Sequence, residues 1–583
     1  RIELRFYAEL CDLLPRRHRS GRISHGLIET HPTPSSVPDL PAANARPQEV
    51  SCAVVRVSPM NTQIRERSLA TMTTSRPKAS RLAITVASLA LVATLPLAAT
   101  AADTASAPTI ADTLAAPHDA TDVSWDPAAE TELLLEGTDA VTITEPGAYR
   151  LSGTLSDGGL VVDSAADGTV WLILDGVDIS NSVGAAIAVL DADDIVVWLA
   201  EGSQNHLADA ADYVFPDAST DEPNAAFYSA EDLTIAGSGA LNINASYNDG
   251  ITSKDGLVIT DGVISVTAAD DGVRGKDYLV VSGGTFDITS GGDGLVSDNE
   301  QDAGLGYISI DGGTFDVTSG ADAIEAVTAV LISAGDLTLA ADDDGIHSEA
   351  WLEIGGGTID ITESYEGLEG TQIVISGGTT SVVAEDDGLN VSDGNGSLMP
   401  TGGAGGPGRA GGPPIEEPIE GLFADVSGGT LIIDADGDGF ESNGVAAMSG
   451  GTVVISGPTT SREGAIDING EFLVSGGTLL AAGSVGMVET PSASSEQATL
   501  DLQFSNAVPA GTVVRVEAED GSAVLTWEAS KPFQSVVLSS PDLEAGATYE
   551  VILDGSVSGE SLGGLYLHPD YSGGASAGTI TAF

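Results

Sequence analysis

A glycine that returns every 22 residues limits what this chain can fold into more than any other feature. Gly250, Gly272 and Gly294 each follow an acidic residue, Asp249, Asp271 and Asp293, at steps of 22. Ala323 takes the place 29 residues later, after the inserted "DNEQDAGLG"; Gly345 and Gly367 resume the step of 22, then Gly388 comes after 21 and Gly439 after 51. A second glycine keeps the same time at Gly262, Gly284, Gly313, Gly335, Gly357, Gly378, Gly429, Gly451 and Gly477. Two independent markers with one period define a unit that cannot bury its hydrophobic face alone and must stack on copies of itself.

Inside the unit the period is two. In "YLVVSGGTFDITS" Leu279 and Val281 alternate with outward neighbours, and beyond Gly-Gly-Thr the residues Phe286 and Ile288 take one side while Asp287 and Thr289 take the other. These are two half-buried strands. A third short strand carries the aliphatic after the acidic glycine: Ile251, Val273, Leu295, Ile324, Ile346, Leu368 and Leu389. Three strands and three turns in about 22 residues predict an all-β parallel β-helix solenoid. Leucine-rich and TPR arrays are excluded by the missing 3.6-residue period, and a nonapeptide calcium roll by the repeat length. The pattern begins at "VTITEPGAYRLSGTL", and 11 or 12 rungs at ~4.8 Å predict a rod roughly 55 Å long. From Glu496 the strands lengthen, the marker stops and "EDGS" suggests a hairpin, which predicts a small C-terminal antiparallel β unit.

Charge divides the chain once more. Beyond residue 101 it carries 79 acidic and 8 basic residues, a polyanion that repels nucleic acid and anionic membranes. Residues 72–101 read as a signal peptide. Arg76, Lys78 and Arg81 form a basic start, Leu82 to Leu97 an apolar core, and Ala99-Thr100-Ala101 a cleavage site. Export follows as an expectation: a secreted, extracellular or cell-surface protein with no membrane span in its mature form. Residues 1–71 are basic, rich in Arg, Pro and Ser and without hydrophobic period, as expected of upstream sequence ahead of the true start at Met72. Both cysteines, Cys11 and Cys52, lie there, so the mature chain has no disulfide and no thiol chemistry. The expected organisation is then a linker over 102–130, β-helix over 131–393, a Gly/Pro-rich flexible insertion over 394–420, the last rungs over 421–495 and the C-terminal unit over 496–583.

Stacking sets equivalent residues ~4.8 Å apart. The residue before the glycine becomes a column of carboxylates: Asp249, Asp271, Asp293, Asp322, Asp344, Glu366, Asp387 and Asp438, with Asp270, Asp343 and Asp386 beside it. Carboxylates so close repel by ~1–3 kcal/mol per pair even in a fairly polar surround. Oxygen ligands at this spacing suit Ca²⁺, which accepts six to eight oxygens in flexible geometry. The expected metal ligands are Asp249, Asp270, Asp271, Asp293, Asp343, Asp344, Asp386 and Asp387. The plainer reading, Asp-Gly as turn chemistry screened by water and salt, does not account for the doubled acids.

The blocks "ITEPGAYRLSGTLSDGGLVVD", "VWLILDGVDIS" and "LAEGSQNHL", the "DGI" and "SGGT" rungs, the Gly-rich insertion and the closing "SSPDLEAGATYEVILDG" together resemble a family of secreted bacterial carbohydrate-binding proteins. The resemblance spans roughly residues 125–555. It implies a calcium-binding right-handed β-helix, related in shape to pectate lyases, that binds cellulose and pectic polysaccharide. The sugar is implied by the resemblance alone, and no residue-level sugar site carries over.

Two functions follow. The first is non-catalytic, calcium-dependent polysaccharide binding, with Trp171, Trp198 and Trp351 as candidate stacking aromatics and inter-rung packing as their other reading. The second is a polysaccharide lyase, in which calcium holds a uronate carboxylate and a basic residue takes the adjacent proton. Lys254 and Lys276 share an offset on adjacent rungs with Arg274 between them, three of the eight basic residues beyond 101. Charge compensation of the acidic column is the competing role for all three, and nearby carboxylates make lysine a poorer base. His118, His206, His347 and His568 show no nucleophile-base order, and carboxylates are too many to single out a glycosidase pair.

Overall fold

The computed structural model describes residues 110–118, 120, 123–215, 219–393 and 417–583. The segments read as upstream sequence and signal peptide lie outside these residues, as does all of the Gly/Pro-rich insertion except 417–420. Among the described residues the regular structure is strand, apart from two short 3-10 turns.

The repeat unit is three strands. Asp249–Ser253, Gly256–Ile259 and Val263–Ala268 make one unit, and Val273–Gly275, Tyr278–Val281 and Thr285–Thr289 the next. Each strand pairs in parallel with its counterpart one unit on, in the registers Ile251↔Val273, Leu257↔Leu279 and Ile264↔Phe286, all 22 residues apart. The same pairing to the third strand onward runs from Thr131–Gly137 to Thr478–Gly483, and one large sheet of mostly parallel strands results.

Burial follows the alternation. The aliphatic column Ile251, Val273, Leu295, Ile324, Ile346, Leu368 and Leu389 is fully buried, and Phe286 stacks on Phe315 with ring centroids 4.5 Å apart. The two glycine series do different work. Gly284 sits at φ +107°, a left-handed conformation that a side chain resists. Gly272 is needed for close approach instead: a Cβ there would lie 2.5 Å from Ile288 Cγ2 and 2.6 Å from the Gly294 carbonyl oxygen of the next unit.

The last strand of the stack is not left open. Thr478–Gly483 pairs antiparallel with Phe533–Ser539, which also pairs with Thr499–Val508. An antiparallel sheet with its own core around Trp527, Phe533 and Leu538 follows, and it contains the hairpin joining Val513–Glu517 to Ala523–Glu528. Covering a terminal edge in this way prevents it from templating another chain.

Part of the expected linker packs on the stack instead. Ile110 and Leu114 lie against Tyr278, Tyr307 and Ala329, and the His118 ring bonds the Tyr278 hydroxyl (2.9 Å) and Thr234 Oγ1 (2.7 Å). Tyr307 adds a hydrogen bond to the Ala115 carbonyl at 2.8 Å. Apolar side chains spaced along 110–120 carry this docking, and they were too few to show a period.

Candidate acidic-ladder site

The carboxylate column turns inward rather than toward solvent. Asp249, Asp322, Asp344, Asp387 and Asp438 are buried, and Asp271, Asp293 and Glu366 half-buried. Each rung's carboxylate reaches the backbone of the next. Asp271 Oδ1 accepts the N–H of Asp293 (3.1 Å), Asp293 that of Asp322 (3.0 Å) and Asp322 that of Asp344 (2.9 Å). Asp344 accepts the N–H of Glu366 (3.2 Å), Asp387 that of Asp438 (2.6 Å) and Asp438 that of Gly464. The ladder therefore satisfies backbone donors at the corners, where strand pairing is interrupted.

Beside it stands a column that no repeated letter announces. The residue after the core aliphatic points outward, and strand register lines up Thr252, Arg274, Val296, Glu325, His347, Glu369, Asn390, Glu441 and Asp467. Asp249, Asp293, Asp322, Asp344, Glu366 and Asp387 each meet the member of this column one unit on, and the partner's chemistry bears on the charge state of each.

At the first such contact the partner is a cation. Arg274 Nη1 lies 4.0 Å from Asp249 Oδ2 and 3.8 Å from Asp271 Oδ2, while Nε donates to Asp298 Oδ1 at 3.2 Å and Nη2 pairs with Asp298 Oδ2. Asp249, Asp270 and Asp271 do converge, but the guanidinium occupies their surroundings. Burial still pushes Asp249 up to about 6 and Asp271 up to about 7, the latter helped by Asp249 and Asp293.

Further along, acids face acids. Asp293 lies within hydrogen-bonding reach of Glu325, Asp344 of Glu369, and Asp387 of Glu441. Burial, then that hydrogen bond, raise Glu325 to about 8, Asp344 to about 9 and Glu441 to about 10. Burial also drives Glu366 and Asp438 to about 8. Two carboxyls desolvated together cannot both ionise without a positive charge.

His347 stands between two such sites. Its Nδ1 is 3.2 Å from Asp322 Oδ2 and 4.0 Å from Asp344 Oδ2, and Nε2 is 3.7 Å from Glu369 Oε2. Burial alone would lower its pKa, but the Asp322 hydrogen bond and the charges of Glu369, Asp322 and Asp344 raise it to about 9. Register places this half-buried histidine among three carboxylates.

Carboxylate groups able to converge on one ion within 4.8 Å are Asp249 with Asp270 and Asp271, Asp322 with Asp343 and Asp344, and Asp387 with Asp438 and Glu441. Of the expected ligands, Asp270, Asp271, Asp249, Asp343, Asp344 and Asp387 join such groups, whereas Asp293 and Asp386 do not. Asp322 and Asp438 were visible as column members; Glu325, Glu369 and Glu441 were not.

The candidate bases and aromatics have other employment. Lys254 Nζ pairs with Glu222 Oε1 at 2.6 Å, and Lys276 contributes to lowering the same glutamate. Trp171 and Trp198 are half-buried with Trp125 around Ala148, Ile173 and Ala200, Trp125 meeting Trp198 edge-on at 5.4 Å. Trp351 meets Phe423 edge-on at 5.9 Å, and its Nε1 donates to Glu353 at 3.1 Å. All three make packing contacts, the other role read for them from the sequence.

Comparison with known proteins agrees with the resemblance read from the sequence. A family model described as "Carbohydrate-binding domain-containing protein" matches residues 137–402. A carbohydrate-binding domain-containing protein of Acetivibrio thermocellus is 44% identical over 128 residues, which cover 22% of this chain and 45% of that protein. The chain thus spans less than half the length of this curated relative. A solved structure titled as a polysaccharide lyase-like protein from C. thermocellum, gadolinium derivative, is 35% identical, with a TM-score of 0.37, and covers 38% of this chain and 95% of that one.

Proposed function

We propose that this chain is a secreted, non-catalytic, calcium-dependent polysaccharide-binding protein built as a right-handed parallel β-helix with about 22 residues per rung. Polysaccharide as the partner is supported by the carbohydrate-binding family match over 137–402 and by the relative's description. The β-helix is supported by three-strand units paired in parallel at a 22-residue offset with aliphatics in register.

One observation carries the metal: Asp387 and Glu441 face each other desolvated, with Asp438 beside them and no basic side chain in the group. Where the same architecture does have a positive charge, Arg274 supplies it from the chain. The donor set fits calcium here. It is all oxygen, and Asn390, in register with Glu441, has a buried Oδ1 without a partner while its Nδ2 donates to Glu366 at 2.6 Å. Asp387, Asp438, Glu441 and Asn390 would hold the ion; Asp322, Asp343 and Asp344 also converge, but with His347 against them. Around Asp249, Asp270 and Asp271 the guanidinium makes an ion superfluous. Bound calcium would neutralise the ladder and pin adjacent rungs to each other.

The lyase alternative finds less support. Its candidate bases Lys254 and Arg274 donate their protons to carboxylates in ion pairs, and a cation so held has no lone pair to offer as a base. A glycan array probed with chelator-stripped and calcium-loaded protein tests the reading. Polysaccharide retained only with calcium is expected; retention of none in either state contradicts it.

A further inference from the structure

One face of the stack is unlike the ladder. The outward residues of Thr285–Thr289 are Thr285, Asp287 and Thr289, and those of Thr358–Glu363 include Thr358, Asp360 and Thr362, all exposed. The intervening strands repeat the theme in parallel register, one row per rung. Rows ~4.8 Å apart follow from strand spacing. Along the same columns exposure then fades. Asp360 is in register with Ser381, Ser381 with Ile432, and Ile432 with Val454, which is fully buried in the core of the C-terminal unit.

Where the C-terminal unit comes down on this face it leaves a step. A cavity of about 360 Å³ opens there, lined by Thr362, Glu363, Val383, Glu385, Asp434 and Lys531 among others. That volume lies in the range of small-ligand sites. Lys531 reaches across from the C-terminal unit. Its Nζ pairs with Asp434 Oδ1 at 2.5 Å and Asp436 Oδ1 at 3.0 Å, and donates to the Ala435 carbonyl at 2.8 Å. All three ammonium protons are thereby committed, so the lysine fixes the wall and is no hook for an anion.

The chemistry of the cavity and the open face is acceptor-rich. Glu363, Glu385, Asp434 and Asp436 outnumber the one spent cation, and Asp287, Asp316 and Asp360 line the approach. A uronate would be repelled. A neutral sugar brings hydroxyl donors that these carboxylates and threonines accept, and Val383, 47% exposed, offers an apolar spot for the C–H side of a ring. No aromatic stands on the outward positions of these strands among the described residues, so hydrogen bonding would carry recognition.

We propose that the threonine–aspartate face and the cavity at its end form a subsite for a neutral, hydroxyl-rich glycan chain, lying across successive rungs with one terminal sugar against the Lys531 wall. This rests on the polysaccharide-binding reading above and fixes its substrate class and place. It is separate from the acidic ladder, and calcium at the ladder supports it by pinning the rungs that carry the face.

The test is calorimetric titration of the full chain with a neutral β-1,4-glucan hexasaccharide and, separately, with hexagalacturonate, in calcium and in chelator. The variants are Val383→Arg, which fills the cavity from an exposed position, and Asp360→Ala on the open face. The neutral hexasaccharide is expected to bind in calcium and not in chelator and, in calcium, about tenfold more weakly to each variant, at unchanged melting temperature. Equal binding of it by wild type and both variants overturns the placement. Binding of hexagalacturonate alone, weakened by Val383→Arg, overturns the ligand class, whereas calcium-dependent hexagalacturonate binding indifferent to both variants rejects this subsite and leaves the polysaccharide reading standing. If neither sugar binds in either buffer, both readings fall.

Discussion

Replacing Asp438 by asparagine should change stability in opposite directions with and without calcium. Asp438 is 6% exposed, accepts the Gly464 N–H and faces Asp387 and Asp467. Burial, opposed by that hydrogen bond and reinforced by the neighbouring acids, lifts its pKa from 3.8 to about 8. The folded state thus binds this proton more tightly than the unfolded chain. Its contribution to stability is complete below about pH 4, is lost as pH rises and levels off above about pH 8. At ~1.4 kcal/mol per pH unit, the metal-free protein loses up to about 4 kcal/mol from this one group between acid and neutral pH. Asparagine keeps the acceptor and carries no charge, so Asp438→Asn should recover about 1–3 kcal/mol at pH 7 to 8 in chelator and flatten the pH slope. On the proposed calcium reading, saturating cation takes the proton's place. The same substitution then removes a ligand and should erode the ~2–4 kcal/mol that a hundred- to thousandfold excess over Kd contributes. Urea unfolding followed by circular dichroism, at pH 5, 7 and 8 with calcium or chelator, reads both signs. Destabilisation of similar size in both media would refute the argument, because it would make Asp438 a structural acceptor and nothing more.

Three further outcomes are expected. Gly388→Ala should destabilise by about 1–3 kcal/mol in a thermal or urea melt, since its Cβ would sit 2.2 Å from Ile433 Cγ2 and 2.8 Å from the Gly439 carbonyl oxygen. Polygalacturonate incubated with wild-type protein and calcium should yield no unsaturated uronide absorbance, and Lys276→Ala should leave that unchanged; product that disappears with Lys276→Ala would restore the lyase. Edman sequencing of exported protein should begin near Ala102, and recovery of residues 1–71 from outside the cell would contradict the signal peptide.

The repeat was legible because its markers are steric. Gly272 and Gly284 are demanded by close approach and by positive φ, so the same letter recurs and the period can be measured. The aliphatic column was legible for the same reason, one side chain shape in one slot. The column of Thr252, Arg274, Val296, Glu325, His347 and onward was not: an outward slot tolerates every chemistry, and its partners become visible only when register is known. The acidic residues of the column were legible, but their burial was not. They turn inward at Asp249 and Asp344 because the corner backbone N–H groups of the next rung need acceptors. The packing of Trp198 against Trp125 was not legible, because Trp125 lies outside the repeat and nothing in the sequence linked the two.

The central claim is that buried acid pairs in the ladder exist to hold calcium. Equilibrium calcium binding to chelator-stripped protein, by titration calorimetry at pH 7, measures this most directly. Binding that releases protons, and loses at least one site in an Asp387→Asn, Glu441→Gln double variant, is the predicted result. No calcium uptake by wild type, or uptake unchanged in the double variant, would contradict it.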